Sequence, residues 1–175
     1  GQWVGLTSLE LEHAALLGRL LARELPGLTM VATDVSTAAA AVATRNVARH
    51  QVGERVEVRV GDLWAPVGDE AFDLIVSNPP YIRQAELAGL DREVQREPRL
   101  ALDGGADGLR FDRRIVAGLA ARLAPGGWIA VEHGHDQGPD VAALLDASGV
   151  TAPATTIADL ARRPRVTLAA RAAGG

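Results

Sequence analysis

The residues with the clearest chemical purpose are Asn78, Pro79, Pro80 and Tyr81. A planar amide or aryl amine attacks poorly, because its nitrogen lone pair is delocalised. The side-chain oxygen of Asn78 can accept one N–H from such a group, and the backbone carbonyl of Pro79 can accept the other. Two acceptors outside the amide plane favour a tetrahedral nitrogen and aim its lone pair at an electrophile, which is orientation combined with electrostatic preorganisation. Prolines suit the task, since φ is fixed and no N–H competes for the site. Tyr81 can stack on the flat substrate group. The simpler alternative is a strand end followed by a rigid turn, but a turn does not require an asparagine before two prolines and an aromatic.

Two acids stand in comparable places. Asp34 closes the apolar run 28–34, and a carboxylate at a strand end can accept hydrogen bonds from both hydroxyls of a ribose. It can equally serve only to cap the next helix together with Ser36. Asp62, in Gly-Asp-Leu-Trp (61–64), follows the run 55–60 in the same way. It can hold the exocyclic amine of a purine, with Leu63 or Trp64 against the ring, or it can simply make a turn. Two acids at corresponding strand ends strengthen the case for a nucleoside site. Glu132, His133, His135 and Asp136 lie close together but fit no metal-ligand spacing, so strand-end turn chemistry is the expectation there.

The elements that must hold these residues follow from periodicity. Leu9, Leu16, Leu17, Leu20 and Leu21 share one side of a helix over 8–25, started by Thr7 and Glu10 and ended by Pro26-Gly27. Strands are expected at 28–34, 55–60, 72–78, 128–134, 150–157 and 165–170. Helices are expected at about 37–50, at 110–124 (closed by Pro125-Gly126-Gly127) and at 138–148. Residues 81–108 read as mostly loop and 171–175 as frayed. Strands alternating with helices imply a mainly parallel sheet covered on both faces. The last two strands lack an intervening helix and should pair antiparallel at one edge. The whole reads as one domain.

Composition narrows the partners. The chain has 175 residues, 47% hydrophobic, with a net charge of -4, so a strongly basic nucleic-acid footprint is missing. All the basic residues other than histidine are arginine. No cysteine is present, which leaves no thiolate chemistry and suits a reducing, cytoplasmic setting. No apolar run reaches the ~18 residues of a membrane span. A monomer is expected.

Asn-Pro-Pro-Tyr-Ile after Phe-Asp-Leu-Ile-Val-Ser (72–82) resembles the amino-methyltransferase signature of Rossmann-like, S-adenosylmethionine-dependent enzymes. The stretches 93–115, 123–138 and 162–171 resemble the HemK family more specifically. Its members methylate the side-chain nitrogen of the glutamine in the Gly-Gly-Gln loop of peptide-chain release factors. The resemblance runs from about residue 22 to 171. It implies a class I methyltransferase fold, S-adenosyl-L-methionine as cofactor and a release factor as protein substrate. Asp34 would hold the ribose, and Asp62 and Leu63 would border the adenine. Asn78 would touch both cofactor and substrate, and Pro79, Pro80 and Tyr81 would frame the glutamine amide.

Three departures accompany it. Leu63 stands where many members carry an aromatic. The family's Asp-Leu-Gly-x-Gly-x-Gly-like turn should fall near residues 9–15, where this chain reads Leu-Glu-Leu-Glu-His-Ala-Ala. The first strand is then either missing or supplied by residues 2–6. The family's helical amino-terminal domain is expected to be absent from this chain. Two other readings follow: a nucleic-acid amino methyltransferase, which shares residues 78–81, and a catalytically silent remnant with impaired cofactor binding.

Overall fold

A computed structural model describes residues 2–7 and 27–173. The helix expected over 8–25 and the glycine-free turn near 9–15 lie outside the described residues. The described part forms a seven-stranded sheet. In chain order its strands are β1 (Gln2–Thr7), β2 (Thr29–Asp34), β3 (Val56–Val60), β4 (Phe72–Asn78), β5 (Leu123–Glu132), β6 (Thr155–Ala158) and β7 (Pro164–Ala170), and across the sheet the order is β3-β2-β1-β4-β5-β7-β6. The first five strands pair parallel, and β7 inserts antiparallel between β5 and β6. This is a Rossmann-like sheet with the antiparallel edge that the sequence implies. The question of the first strand is resolved by residues 2–7, which pair with both β2 and β4.

The helices are α1 (Thr37–Arg49), the short α2 (Arg99–Leu102), α3 (Arg110–Arg122) and α4 (Gly138–Ala147). Alternation along β2 shows why they cover both faces. Val31 packs on the larger cluster, which holds Phe72, Ile75, Ile115, Leu119, Ile129 and Leu145. Its neighbours Met30 and Ala32 belong to a smaller cluster that includes Val47 of α1. The helix α1 starts where expected, with Ser36 Oγ accepting from the Ala39 amide at 3.1 Å.

Three boundaries differ from the sequence expectation. β5 begins at Leu123, ahead of Pro125-Gly126-Gly127, because that stretch joins the sheet through a register shift opposite Phe72–Leu74. The strand expected over 150–157 is interrupted: Thr151 makes an isolated bridge to Arg171, Pro153 has no N–H to give, and pairing resumes only at Thr155. Arg171 and Ala172 are not frayed, since their amides donate to the carbonyls of Gly127 (2.8 Å) and Val150 (2.9 Å).

Candidate functional site

The sheet order reverses its direction of growth between β1 and β4. In open α/β sheets ligands bind at such a switch, outside the carboxyl ends of the strands. Asp34 ends β2 and Asn78 ends β4, one on either side of β1. Leu63 adopts φ 49°, so the turn after β3 folds back and presents Asp62 and Leu63 at the same edge.

A cavity of about 280 Å³ opens there. Its walls include Asp62 and Leu63 from the β3 turn, Pro79 and Pro80 from the end of β4, and Phe111 from α3. Four of the residues singled out from sequence are thus brought together. Asp34 and Asn78 stand at the margin, each next in sequence to a lining residue (Thr33, Val35, Pro79). Tyr81 lies further along the segment and does not line the cavity.

The electrostatics of the three polar groups differ. The Oδ1 atom of Asp34 accepts from the Ser36 amide at 2.7 Å, so the helix-entry arrangement foreseen as the simpler option is formed. Burial nonetheless pushes the Asp34 carboxyl above its ordinary range, with the Ser36 hydrogen bond opposing. Asp62 is half exposed and pairs with Arg114, Nη2 to Oδ2 at 2.7 Å. Asn78 Oδ1 is buried and has no hydrogen-bond partner among the described residues. Such an atom costs free energy until a donor reaches it.

The backbone after Asn78 is held by a second layer. Ile82 bridges Asp103, with the Ile82 amide on the Leu102 carbonyl at 3.0 Å and the Gly104 amide on the Ile82 carbonyl at 2.8 Å. A Cβ on Gly104 would come within 2.8 Å of the Pro80 carbonyl oxygen. Gly108, at φ 80°, lies against the Tyr81 carbonyl and the Gln137 amide with no space for a side chain. The turn-rich Asp-Gly-Gly-Ala-Asp-Gly (103–108) is therefore the backing of the Pro-Pro-Tyr segment.

Gln137 completes this layer. It is buried, its Oε1 accepts from the Gly134 amide at 2.8 Å, and its Nε2 donates to the Tyr81 carbonyl at 3.0 Å. Next to it, His133 is buried with Nδ1 on the Gly134 carbonyl (2.8 Å) and Nε2 on Thr167 Oγ1 (2.9 Å). A carbonyl can only accept, so Nδ1 carries a proton. Both ring nitrogens of His133 are engaged in fixing the β5 end, which is the turn chemistry expected of this stretch. Sequence reasoning missed Gln137 and the α3 residues of the cavity wall. Helical spacing from Phe111 to Arg114 could have shown that they share a face, but not which face meets the sheet edge.

Comparison with known proteins gives the same direction. Residues 14–97 match the family described as the methyltransferase small domain. A release factor glutamine methyltransferase of Geobacter sulfurreducens is 48% identical over 130 residues, covering 74% of this chain and 45% of the relative. A ribosomal protein uL3 glutamine methyltransferase of Bradyrhizobium diazoefficiens is 45% identical over 119 residues, covering 68% of this chain and 37% of the relative. The chain spans about half the length of the curated relatives it matches. A crystal structure of a methyltransferase from Pyrococcus furiosus superposes with a TM-score of 0.70 at 18% identity, over 98% of this chain and 75% of that one.

Proposed function

We propose that this chain, which is similar to release factor glutamine methyltransferases over most of its length, belongs to the HemK family of protein glutamine methyltransferases and methylates the side-chain amide nitrogen of a glutamine in the Gly-Gly-Gln loop of a peptide-chain release factor. The observation that carries the reading is the buried Asn78 Oδ1, which has no donor among the described residues and belongs to the residue before Pro79 in the cavity wall, at the switch point of the sheet. A substrate N–H is the donor it lacks.

The cavity suits the cofactor S-adenosyl-L-methionine. Its apolar surfaces, Val35, Leu63 and Phe111, fit a nucleoside's flat faces, and Asp62 brings an acceptor to their edge. When bound, this cofactor supplies an electrophilic methyl group on a sulfonium, which departs as a neutral thioether. Asp62 and Leu63 would border its adenine, and Asp34 would accept from its ribose through the oxygen not bonded to Ser36.

The chain's own residues act on the substrate. Asn78 Oδ1 accepts one amide N–H and the Pro79 carbonyl accepts the other, which draws electron density onto the nitrogen and turns its lone pair toward the cavity. Tyr81 provides a flat surface for the carboxamide, and Gln137 fixes the Tyr81 carbonyl so that the segment does not rotate. As it takes the methyl group the nitrogen gives up one of its two protons, first to the carbonyl oxygen that accepts it and from there to water. No strong base is needed before attack, because the nitrogen becomes acidic as it takes the methyl group.

The test offers radiolabelled S-adenosylmethionine together with purified release factor, ribosomal protein uL3 or duplex DNA. Label on the release factor, lost when its loop glutamine is replaced, is the expected result. Label on DNA alone would overturn the protein-amide reading, and label on uL3 alone would replace the substrate.

A further inference from the structure

The turn between β6 and β7 stands at the same sheet edge as the site. β4 pairs Ser77 with Val131 of β5, β5 pairs Glu132 with Val166 of β7, and β7 pairs Val166 with Ile157 of β6. Asn78, Glu132, Val166 and Ile157 therefore form one row across β4, β5, β7 and β6. Neighbouring strands lie ~4.8 Å apart, so β6 is about 14 Å from β4 along this row. Residues 159–163 project beyond it, on the side where Asn78 ends its strand. The hairpin is also tied to the site directly. Arg165, at its root, donates to the His133 carbonyl at 3.2 Å, and the Tyr81 hydroxyl faces the same guanidinium.

The turn is closed on itself. The Asp159 amide donates to the Arg163 carbonyl (2.8 Å), the Arg162 amide to the Asp159 carbonyl (2.9 Å) and the Arg163 amide to Asp159 Oδ1 (2.9 Å). Asp159 Oδ2 lies 3.9 Å from Arg165 Nε, so the acid of the turn is engaged at the root of the hairpin. Arg162 and Arg163 are exposed, and neither has an acidic partner among the described residues. Leu160 is fully exposed, and Ile157 is nearly half exposed. A single surface leucine is ordinary. A leucine presented on a hydrogen-bonded turn beside two unpaired guanidinium groups is a pre-ordered contact patch, and a partner that binds it has little left to order.

We propose that the β6–β7 turn is a docking point for the protein substrate, taking an acidic patch with an apolar spot on the domain that carries the methylated glutamine. This rests on the protein-amide methyl transfer proposed above and adds where the protein is held. A folded domain of ~100 residues has a radius of gyration of about 13 Å, so one whose glutamine reaches Asn78 also covers a turn about 14 Å to the side. Charge points the same way. The chain as a whole carries -4, while Leu160-Ala161-Arg162-Arg163 holds two arginines and no acid. An anionic protein surface is therefore steered to this corner and away from the acidic remainder. A nucleic acid calls for a longer basic track and would leave Leu160 without a use.

Steady-state methylation of purified release factor by the full chain, at saturating S-adenosylmethionine, tests it. Arg162→Glu combined with Arg163→Glu should raise KM for the release factor about tenfold, the scale of reversing charge against an acidic surface. Leu160→Ser should raise it about fivefold, the scale of truncating one apolar contact. In both proteins kcat, the affinity for S-adenosylhomocysteine and the melting temperature should stay those of the parent. Arg162→Lys combined with Arg163→Lys should keep most of the affinity, and added salt should shrink the gap between the parent and the charge-reversed protein. An unchanged KM in either the charge-reversed or the Leu160→Ser protein would overturn the inference alone. So would a duplex RNA that competes with release factor on the parent but not on the charge-reversed protein, since the surface would then belong to nucleic acid. No methylation of any protein by the unsubstituted chain would instead overturn the function proposed above, and this inference with it.

Discussion

Four side chains keep a buried polar atom without a partner among the described residues, Asn78, Asp112, Arg122 and Arg171, and the first two have opposite meanings. Asn78 Oδ1 is neutral and belongs to the residue that precedes Pro79 in the cavity wall. Asp112 is 2% exposed, on the α3 face that also buries Ile115 and Leu119, and neither of its oxygens is bonded. Burial raises its carboxyl from 3.8 to about 6. Between those two values the folded state binds more protons than the unfolded chain, so stability falls as pH rises through this window and stays lowered above it. The cost at neutral pH is on the order of 2–3 kcal/mol. Asp112→Asn should therefore raise the melting temperature at pH 7 and flatten its pH dependence between pH 4 and 6. A variant no more stable at pH 7 than its parent would refute this account of Asp112. Asp34 is raised as well, in a direction that costs it charge in acid. Affinity for S-adenosylhomocysteine should accordingly fall on acidification, and Asp34→Asn should remove that pH dependence in a titration series.

At the scale of elements, the 103–108 turn and the entry of α4 act on the Pro-Pro-Tyr segment from behind. Gln137→Leu keeps the volume but leaves the Tyr81 carbonyl and the Gly134 amide without their partner, a loss of about 1–3 kcal/mol. Hydrogen exchange should speed up at residues 81–84 and 134–138, while β2 and β3 should exchange as before. Gly108→Ala should be worse, because it combines a positive φ with a clash against the same two groups. These supports were hard to read in advance. Gln137 looks like an ordinary helix-entry residue, and its partner Tyr81 is far away in sequence. By contrast the end of β4 at Asn78-Pro79-Pro80 was legible, because two prolines after an asparagine are a local stop signal that no neighbour needs to complete.

For the whole molecule, β-branched and alternating runs made β2, β3, β4 and β7 legible, and the missing helix between the last two strands foretold the antiparallel edge. The central strand was the least certain, since Gln-Trp-Val-Gly-Leu-Thr is short and no glycine-rich turn follows it. Yet β1 carries the two halves of the parallel sheet, pairing Gln2–Leu6 with β2 and Trp3–Thr7 with β4. Deleting residues 1–7 would leave the inner edges of β2 and β4 unpaired. The shortened chain should lose its cooperative thermal transition; a sharp transition near the parent's temperature would show that the sheet closes without β1.

The central claim is that the Asn78 carboxamide oxygen grips the substrate amide while it reacts. Single-turnover methyl transfer to release factor by Asn78→Ala measures this most directly, with binding of both ligands determined in parallel. A rate lowered roughly 10²-fold, the scale of losing one preorganised polar contact, with binding little changed, is the expected result. A rate equal to that of the unsubstituted protein would contradict the account.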